Sequence, residues 1–484
     1  MSIIANRENP ELATSFRDRI PTAEIGGKRI WVYPTKPSGR FYRARTIVSW
    51  FLLALMFAGP WIRIAGNPIL QFNIPARKFY LFGMLFQPQD LYILAVGFIT
   101  LFVSIVLFTA VFGRVWCGWL CPQTVMMEMV FRKIEYFIEG DGPMQRLLDL
   151  APWDWTKARK KVLKHVVFFA LSFVVGNLLL AYIIGPEALW QIMTDPIGTH
   201  VGGLIAMILF SLLFYGIFAR FREQACTFIC PYGRFQSVLL DENSLVVAYD
   251  YKRGEGRAKF NPKLTFDDRQ AKGLGDCVDC GRCVAVCPTG IDIRNGTPQL
   301  ECVNCTACID ACDFMMDKVK RPRGLVRFAS RANIENGTSF KLTGRLKAYL
   351  VLLCLLISGL ITLIAIRDPV GATLLRAPGT TYQQSYPGWY SNIFTVTLAN
   401  KRNEPTEVKL EIESPKEARI SLIGHTDSDH TVKLPPATPF KAVLRIDLPE
   451  GMTKSQQKVR LNLMHEGKVL RVLESNFIGP WSGT

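Results

Sequence analysis

The sequence contains few charged residues for its length. Asp, Glu, Lys and Arg make up 20% of the 484 residues, whereas soluble globular proteins carry roughly 25%. Hydrophobic residues make up 49% and are gathered into long runs, which excludes a disordered chain and indicates a membrane protein. Lys- and Arg-rich cytoplasmic loops then explain the net charge of +17, and we expect no nucleic-acid partner.

Histidine is also scarce, with five residues in the whole sequence. Only His165 and His200 lie near apolar segments, and we expect them at opposite faces of the membrane. Because two such side chains cannot ligate one iron, the sequence excludes a haem b held between two histidines of this chain.

Five segments are long and apolar enough to cross about 30 Å of hydrocarbon, which takes roughly 20 helical residues. Residues 1–45, which are mostly polar, precede the first segment, so we expect no signal peptide. The segments predict an all-α transmembrane bundle within a multi-domain membrane protein. The predicted spans are Thr46–Ile64, Leu91–Phe112, His165–Gly185, Gly198–Ala219 and Ala348–Ile366.

The distribution of Lys and Arg predicts the orientation of these spans. Counted from the N-terminus, the segments outside the membrane hold 9, 2, 9, 0 and 21 of these residues before the last span. Because cytoplasmic loops are enriched in positive charge, the N-terminus and both long loops are expected in the cytoplasm. Five spans then place residues 367–484 on the other side of the membrane.

The spans divide the chain into predicted regions. Residues 46–219 form a four-helix membrane region, whose loop 113–164 contains the amphipathic segment Met129–Ile138. We expect this segment to lie on the inner membrane surface as an interfacial helix, with Arg132 and Lys133 facing water. The other regions are a cytoplasmic N-terminal segment (1–45), a cytoplasmic region (220–347), a fifth transmembrane helix (348–366) and an outer domain (367–484).

Eight of the thirteen cysteines form two adjacent runs within about residues 270–320. Each run has the spacing Cys-x2-Cys-x2-Cys-x3-Cys, which is typical of ferredoxins with two [4Fe–4S] clusters, where the fourth ligand comes from the other run. Zinc knuckles use a different spacing, and disulfides are disfavoured in a reducing cytoplasm. We therefore assign Cys277, Cys280, Cys283 and Cys312 to cluster 1, and Cys302, Cys305, Cys308 and Cys287 to cluster 2.

Four more cysteines form two Cys-x3-Cys-Pro motifs, each just past the predicted cytoplasmic end of a span. Residues i and i+4 share one face of a helix, so both thiols of a motif can point to one ligand, and neighbouring helix pairs would bring four sulfurs together. Soft thiolates select Cu(I), zinc or iron–sulfur clusters. The pattern favours a redox or copper role, and leaves open a structural metal or no metal. The four residues are Cys117, Cys121, Cys226 and Cys230.

Residues 367–484 contain no cysteine, and their sequence pattern predicts strands. Polar and apolar residues alternate in Asn392–Asn400, Glu407–Ser414 and Lys441–Leu448, with turn-forming residues between these segments. About seven short strands over this length predict an all-β immunoglobulin-like sandwich. A sandwich by itself indicates no chemistry, so we expect a role in interaction or positioning.

In combination, the two Cys-x3-Cys-Pro motifs, the two-cluster ferredoxin segment and the outer sandwich resemble the FixG/CcoG/RdxA group of cytochrome c oxidase accessory proteins. The resemblance covers the chain from about Tyr42 to its C-terminus. NapH-like proteins share the membrane motifs and the ferredoxin but lack the outer sandwich. NosR-like proteins add an outer flavin-bearing domain that is absent here.

The resemblance implies an enzyme of the bacterial inner membrane, a cupric reductase that helps to assemble the copper centre of cbb3-type oxidases. It implies the eight iron–sulfur ligands named above, and it implies copper-binding catalytic roles for Cys117, Cys121, Cys226 and Cys230. The expected partners are the lipid bilayer, a cytoplasmic electron donor, a copper chaperone or an oxidase subunit, and a second copy in a homodimer, with the outer domain in the periplasm. Two alternatives remain open: quinol-linked electron relay to a periplasmic reductase, and a non-enzymatic scaffold that holds copper.

Overall fold

The fold is given by a computed structural model, which divides the chain into two compact units. The first comprises Met1–Ala58, Phe98–Ala181 and Glu187–Ile357, and the second comprises Gly59–Gly97, Tyr182–Pro186 and Ser358–Thr484. The structure describes residues 22, 28–64, 66–263, 266–296, 299, 301–337, 343–379, 381–402, 404–423, 430–435, 439–452 and 456–480. Residues 1–21 and 23–27 of the predicted N-terminal segment therefore lie outside the described residues.

Five helices in the described part of the chain are long and apolar enough to cross a membrane, as predicted. They present large apolar side chains on their outer surfaces, including Trp50, Phe98, Leu209 and Leu355. Such exposure is costly in water and is expected of helices that face lipid. The helices are Arg40–Ala58, Leu91–Phe112, Trp155–Ile184, Val201–Phe221 and Gly344–Ala365.

Three of these helices begin earlier than their predicted apolar runs, and the fifth begins at Gly344 rather than Ala348. The first begins at Arg40 rather than Thr46. It ends at Ala58 rather than the predicted Ile64, because Pro60 disfavours helical backbone at the residue before it. The third begins at Trp155 rather than His165. The polar first turns of this helix are stabilised by contacts within the protein, since the Lys157 ammonium donates to the backbone carbonyls of Asp149 at 2.9 Å and Ala151 at 2.6 Å.

The segment around Arg132 is helical, but Arg132 does not face water as predicted. A π-helical turn, Met126–Phe131, leads directly into the α-helix Arg132–Ile138. The Arg132 side chain is 2% exposed and lies 3.1 Å from Glu128 and 3.7 Å from Glu223. Its charge is therefore compensated inside the protein, by a carboxylate from a distant part of the chain that periodicity could not reveal. Lys133 is partly buried.

Shorter elements connect the long helices. Three antiparallel pairings join five short strands within the second unit, with Leu70 opposite Leu81 and Phe79 opposite Phe86. These strands are β1 Arg63–Ile64, β2 Asn67–Pro68, β3 Leu70–Asn73, β4 Lys78–Leu81 and β5 Met84–Phe86. The short helices beside the membrane region are Pro122–Val125, Gly142–Leu150, Pro186–Thr194 and Pro231–Leu239.

The ferredoxin region is built on one antiparallel strand pair, β6 (Val246–Tyr249) and β7 (Val326–Ala329). Ile309, Met316 and Leu325 are at most 2% exposed and pack with the cysteines in one core. The small core thus surrounds the cysteine runs directly. Its helices are Tyr251–Gly254, Phe266–Ala271, Arg282–Ala285, Ala307–Lys318 and Arg331–Asn336.

The C-terminal region is an antiparallel sandwich of nine strands within the described residues, two more than predicted. One sheet has the order β12-β14-β10-β8, with β9 also paired to β10, and the other has the order β13-β11-β15-β16. Phe394, Leu444, Leu461 and Phe477 are fully buried in its core. The strands are β8 Val370–Arg376, β9 Gln383–Tyr386, β10 Trp389–Asn400, β11 Thr406–Ser414, β12 Arg419–Ile423, β13 Thr431–Leu434, β14 Pro439–Pro449, β15 Gln456–His465 and β16 Lys468–Ile478.

Candidate iron–sulfur and thiolate sites

The eight ferredoxin cysteines line two adjoining cavities. They fall into the two sets expected when each run supplies three ligands to one cluster and one ligand to the other, although the ligand assignment itself stays a prediction. One cavity is lined by Cys277, Cys280, Cys283 and Cys312, and the other by Cys287, Cys302, Cys305 and Cys308, with Cys283 in the shared wall.

The two cysteine runs have the same unusual backbone around their second cysteine. The residues on either side of Cys280 have positive φ angles, 50° at Asp279 and 67° at Gly281. The corresponding angles beside Cys305 are 52° at Asn304 and 66° at Thr306. Left-handed turns of this kind point successive backbone N–H groups into a concave surface, which suits an anionic group such as a thiolate-bound cluster.

The protonation of the buried thiols also fits a cluster site. Burial raises the pKa of both Cys283 and Cys302 to about 12. A buried thiolate without a cation is unfavourable, whereas iron binding replaces the proton and neutralises the charge. All thirteen cysteines are free of disulfides. The donor set therefore fits two [4Fe–4S] clusters held by these eight cysteines.

Asp310, between the last two cysteines of the second run, holds the start of the first membrane helix. Its carboxylate accepts hydrogen bonds from the backbone N–H groups of Phe41 at 3.1 Å and Tyr42 at 2.8 Å. Gly39 has a φ of 146°, and a Cβ at this position would lie 2.3 Å from Asp310 Cγ. The approach of helix and ferredoxin therefore requires glycine at position 39.

Asp313 follows the second run, in the place that Pro288 occupies after the first. Its Oδ1 accepts a hydrogen bond from the backbone N–H of Gly324 at 3.0 Å, and its Oδ2 lies 3.5 Å from the Arg40 guanidinium. Aspartate in place of proline thus adds carboxylate contacts to the loop, and Cys312 still lines its cavity.

The two Cys-x3-Cys-Pro motifs have the same local structure, which differs from the α-helix expected. The first cysteine of each motif lies in a π-helical turn, Trp116–Leu120 or Ala225–Ile229. The second cysteine is extended, with ψ angles of 124° at Cys121 and 113° at Cys230, and the proline after it begins a new helix. The proline could have indicated this break, because it cannot continue the preceding helix.

The thiols of both motifs lie within electrostatic range of one another. Burial raises the pKa of the Cys226 thiol to about 12, and the charges of Cys121, Cys117 and Cys230 act in the same direction. Burial also raises the pKa of Cys117, against the effect of the nearby Arg114. Among the described residues, no three His, Cys, Asp or Glu side chains are close enough to hold one metal ion. A shared ion would therefore require these side chains to turn toward each other.

The first motif packs directly on the loop that carries Cys302 and Cys305, two of the cysteines assigned to cluster 2. A Cβ at Gly118 would lie 2.3 Å from the carbonyl oxygen of Val303, between the first two cysteines of the second run. In the same loop, Asn304 Nδ2 donates to the Phe112 carbonyl at 3.4 Å. On its other side, buried Arg45 donates from Nε to the Gly118 carbonyl at 2.7 Å. The thiolate motif and the cluster loop are thus in backbone contact.

The second motif is anchored by a buried network of charges that sequence reasoning missed. Glu135 accepts hydrogen bonds from Arg222 at 2.6 Å and from Lys164 at 3.3 Å. Glu223, three residues before Cys226, pairs with Arg132 at 3.7 Å. The paired residues are far apart in the sequence, by 87 positions for Glu135 and Arg222, so the sequence could not indicate that they pair.

We expect Glu135→Gln to destabilise the protein by about 3 kcal/mol, because it leaves buried cations without their carboxylate. Burial alone would raise the pKa of Glu135, but Arg222 and Lys164 lower it to about 2. The contribution of the Glu135 carboxylate to the free energy of unfolding is therefore fully present above its ordinary pKa of 4.5, and it is lost as pH falls toward 2. Unfolding midpoints in detergent would measure both effects.

The matched control for this prediction is Glu407→Gln. Glu407 pairs with Lys433 at 3.0 Å, but the two side chains are 60% and 81% exposed. An exposed pair contributes less than about 1 kcal/mol. Equal losses of stability in the two variants would contradict the role given to the buried network.

Comparison with known families agrees with the iron–sulfur chemistry. Residues 221–331 match a family described as a 4Fe-4S dicluster domain, and residues 94–138 match one described as a 4Fe-4S binding domain. Residues 360–480 match a family described as the IG-like fold at the C-terminal of FixG. The family matches therefore cover the first Cys-x3-Cys-Pro motif, the ferredoxin segment and the C-terminal sandwich, on which the resemblance was based.

Three curated relatives are similar over much of the chain. Nitrogen fixation protein FixG of Rhizobium meliloti is 37% identical over 67% of this chain, and the match spans 61% of that relative's length. Protein RdxB of Cereibacter sphaeroides is 32% identical over 85% of this chain and 88% of its own. Protein RdxA of the same organism is 32% identical over 82% of this chain and 85% of its own.

Proposed function

The chain belongs to the FixG/RdxA family, and we propose that this iron–sulfur protein reduces Cu(II) to Cu(I) for the copper centre of a cbb3-type cytochrome c oxidase. In this proposal Cys117, Cys121, Cys226 and Cys230 bind the copper substrate. When bound, the two [4Fe–4S] clusters supply one-electron storage and transfer.

The contact between the first motif and the cluster-2 loop is the observation that carries the proposal. Gly118 follows Cys117, and its backbone meets Val303, which follows Cys302. A thiolate ligand of copper and a thiolate ligand of cluster 2 are therefore each one residue from the same backbone contact. Such packing supports electron transfer between the two sites, and it excludes bulk water from between them.

The chemistry required of the thiolates is simple. Cu(II) gains one electron and becomes Cu(I), and no bond to a substrate carbon or oxygen is made or broken. Soft sulfur ligands stabilise Cu(I) over Cu(II), so binding at the four cysteines favours the reduced ion. Because the buried Cys226 thiol has a pKa of about 12, copper must displace its proton, and binding is expected to tighten as pH rises.

The proposal places the chain in the bacterial inner membrane. The N-terminus and the ferredoxin region face the cytoplasm, where an electron donor docks, and the sandwich faces the periplasm. A copper chaperone or an oxidase subunit receives the Cu(I). A homodimer is the proposed oligomeric state.

The second candidate is electron relay without copper. It is favoured by one observation: the matched segment 94–138, described as a 4Fe-4S binding domain, contains Cys117 and Cys121. These thiols would then serve an iron–sulfur relay from quinol to a periplasmic reductase. A third reading, a copper-holding scaffold, needs the same thiols but no electron transfer.

An anaerobic copper-reduction assay distinguishes the three candidate functions. The full-length protein is reduced, freed of excess reductant and mixed with Cu(II), and Cu(I) is measured with a specific chelator. Protein with oxidised clusters controls for reduction of copper by the thiols themselves. We expect Cu(I) only from the reduced protein. Cluster oxidation by a quinone but not by Cu(II) would favour the relay, and copper binding without Cu(I) formation would favour the scaffold.

A further inference from the structure

A cavity of about 600 Å³ opens beside the first turns of the helix Arg40–Ala58. It lies entirely within the first unit, between the start of that helix and the helix Arg132–Ile138. Neither the iron–sulfur chemistry nor the copper chemistry uses it. Its polar lining consists of Lys36, Tyr42, Arg43, Thr46, Lys133 and Tyr136.

The lining carries positive charge only. Lys36, Arg43 and Lys133 contribute three cations, and no Asp or Glu lines the cavity. Within the described residues none of the three forms an ion pair, and the Lys133 ammonium has only the Thr46 hydroxyl at 3.5 Å and the Tyr42 ring at 5.5 Å. The cavity therefore presents three cations that form no ion pair among the described residues, and the Asp141 carboxylate beside it accepts from the Lys36 backbone N–H at 2.6 Å.

The apolar lining of the cavity is Ile47, and exposed apolar residues continue from it along the membrane helix. Ile47 lines the cavity and is 71% exposed, and Trp50 is 64% exposed. Positions 43, 47 and 50 follow one face of a helix, since residues three and four apart are neighbours. A cationic site at the helix end thus leads into an apolar strip that faces the surroundings.

We propose that this cavity binds the headgroup of an anionic phospholipid, whose acyl chain lies along Ile47 and Trp50. The phosphate fits the three cations and the tyrosine hydroxyls, as in basic pockets at the ends of membrane helices. A quinone ring is neutral and makes no use of three cations, and free phosphate makes no use of the apolar strip. The inference is independent of the proposed copper chemistry.

Lipid retention by the full-length protein tests this site. The protein is reconstituted in nanodiscs of equimolar phosphatidylglycerol and phosphatidylcholine, extracted into detergent, and its bound lipid is identified by native mass spectrometry. We expect phosphatidylglycerol to be enriched over phosphatidylcholine. Each cation near an anionic surface changes affinity roughly fivefold, so the combined variant Lys36→Gln, Arg43→Gln, Lys133→Gln should lose affinity for phosphatidylglycerol by roughly a hundredfold.

The matched control removes the same charge outside the cavity, with Arg146→Gln, Arg159→Gln and Lys160→Gln. It should retain phosphatidylglycerol as the wild type does, and iron content should report intact folding of both proteins. The single variant Lys133→Gln, expected to lose roughly fivefold, serves if the combined variant does not fold.

Three results would overturn the proposal. The first is equal retention of the two lipids, or equal loss in the control and cavity variants. The second is a co-purifying quinone that the cavity variant loses. The third is displacement of the lipid by inorganic phosphate alone, which would make the site one for free anions.

Discussion

Replacing Cys277 and Cys312 together with serine is expected to remove about four of the protein's eight cluster irons and to leave the second cluster intact. The two residues are far apart in sequence, but both line the cavity assigned to cluster 1. Because cluster 2 would keep all four of its ligands, the loss should stop at one cluster. Iron analysis and electron paramagnetic resonance of the reduced protein would measure it.

The control is the double variant Cys277→Ser with Cys287→Ser, which removes two cysteines of the same run. Cys287 lines the other cavity, so this variant takes one ligand from each cluster. We expect it to lose more iron than the first variant, and to show damage in both spectral signals. Equal iron loss in the two double variants would contradict the crossed ligand sets.

Replacing Cys117 and Cys226 together with serine is expected to lower the rate of Cu(I) formation by at least about a hundredfold, with iron content unchanged. Each substitution removes one thiolate from one motif, and the hard hydroxyl oxygen of serine is a poor ligand for Cu(I). The eight ferredoxin cysteines are not altered. The Cu(I) chelator assay on anaerobically reduced protein gives the rate.

Cys354→Ser is the matched control for this second prediction. Cys354 is an exposed cysteine of the fifth apolar helix, outside both motifs and both cavities. Its replacement should leave the rate of Cu(I) formation and the iron content unchanged. A double variant of Cys117 and Cys226 that still reduces copper at the wild-type rate would remove these cysteines from the copper site.

Much of the architecture could be predicted because the decisive signals are local. A run of about 20 apolar residues is a membrane helix wherever it occurs, and the helix Leu91–Phe112 has the predicted bounds. Cysteine spacing likewise indicated how Cys287 and Cys312 divide between the two cavities. The sandwich followed from alternation, although it has nine strands and not the seven predicted, because strands of four residues such as β9 and β13 show little alternation.

The features that could not be predicted depend on contacts between distant segments. Arg132 looked like a water-facing residue because its partner Glu223 comes from another helix end. The packing of Gly118 on Val303 leaves no mark in the sequence, since a glycine without a side chain gives no pattern. The cationic cavity at Lys133 likewise appears only when two helices are brought together.

We propose that electrons stored in the iron–sulfur region reach copper at the membrane thiolates. Stopped-flow mixing of anaerobically reduced protein with Cu(II) would test this proposal, with cluster absorbance and the Cu(I)–chelator complex followed together. We expect the clusters to be oxidised as Cu(I) appears, one electron for each copper ion, and both signals to slow together in the Cys117→Ser, Cys226→Ser variant. Clusters that stay reduced while Cu(II) is bound, or Cu(I) that forms without cluster oxidation, would contradict it.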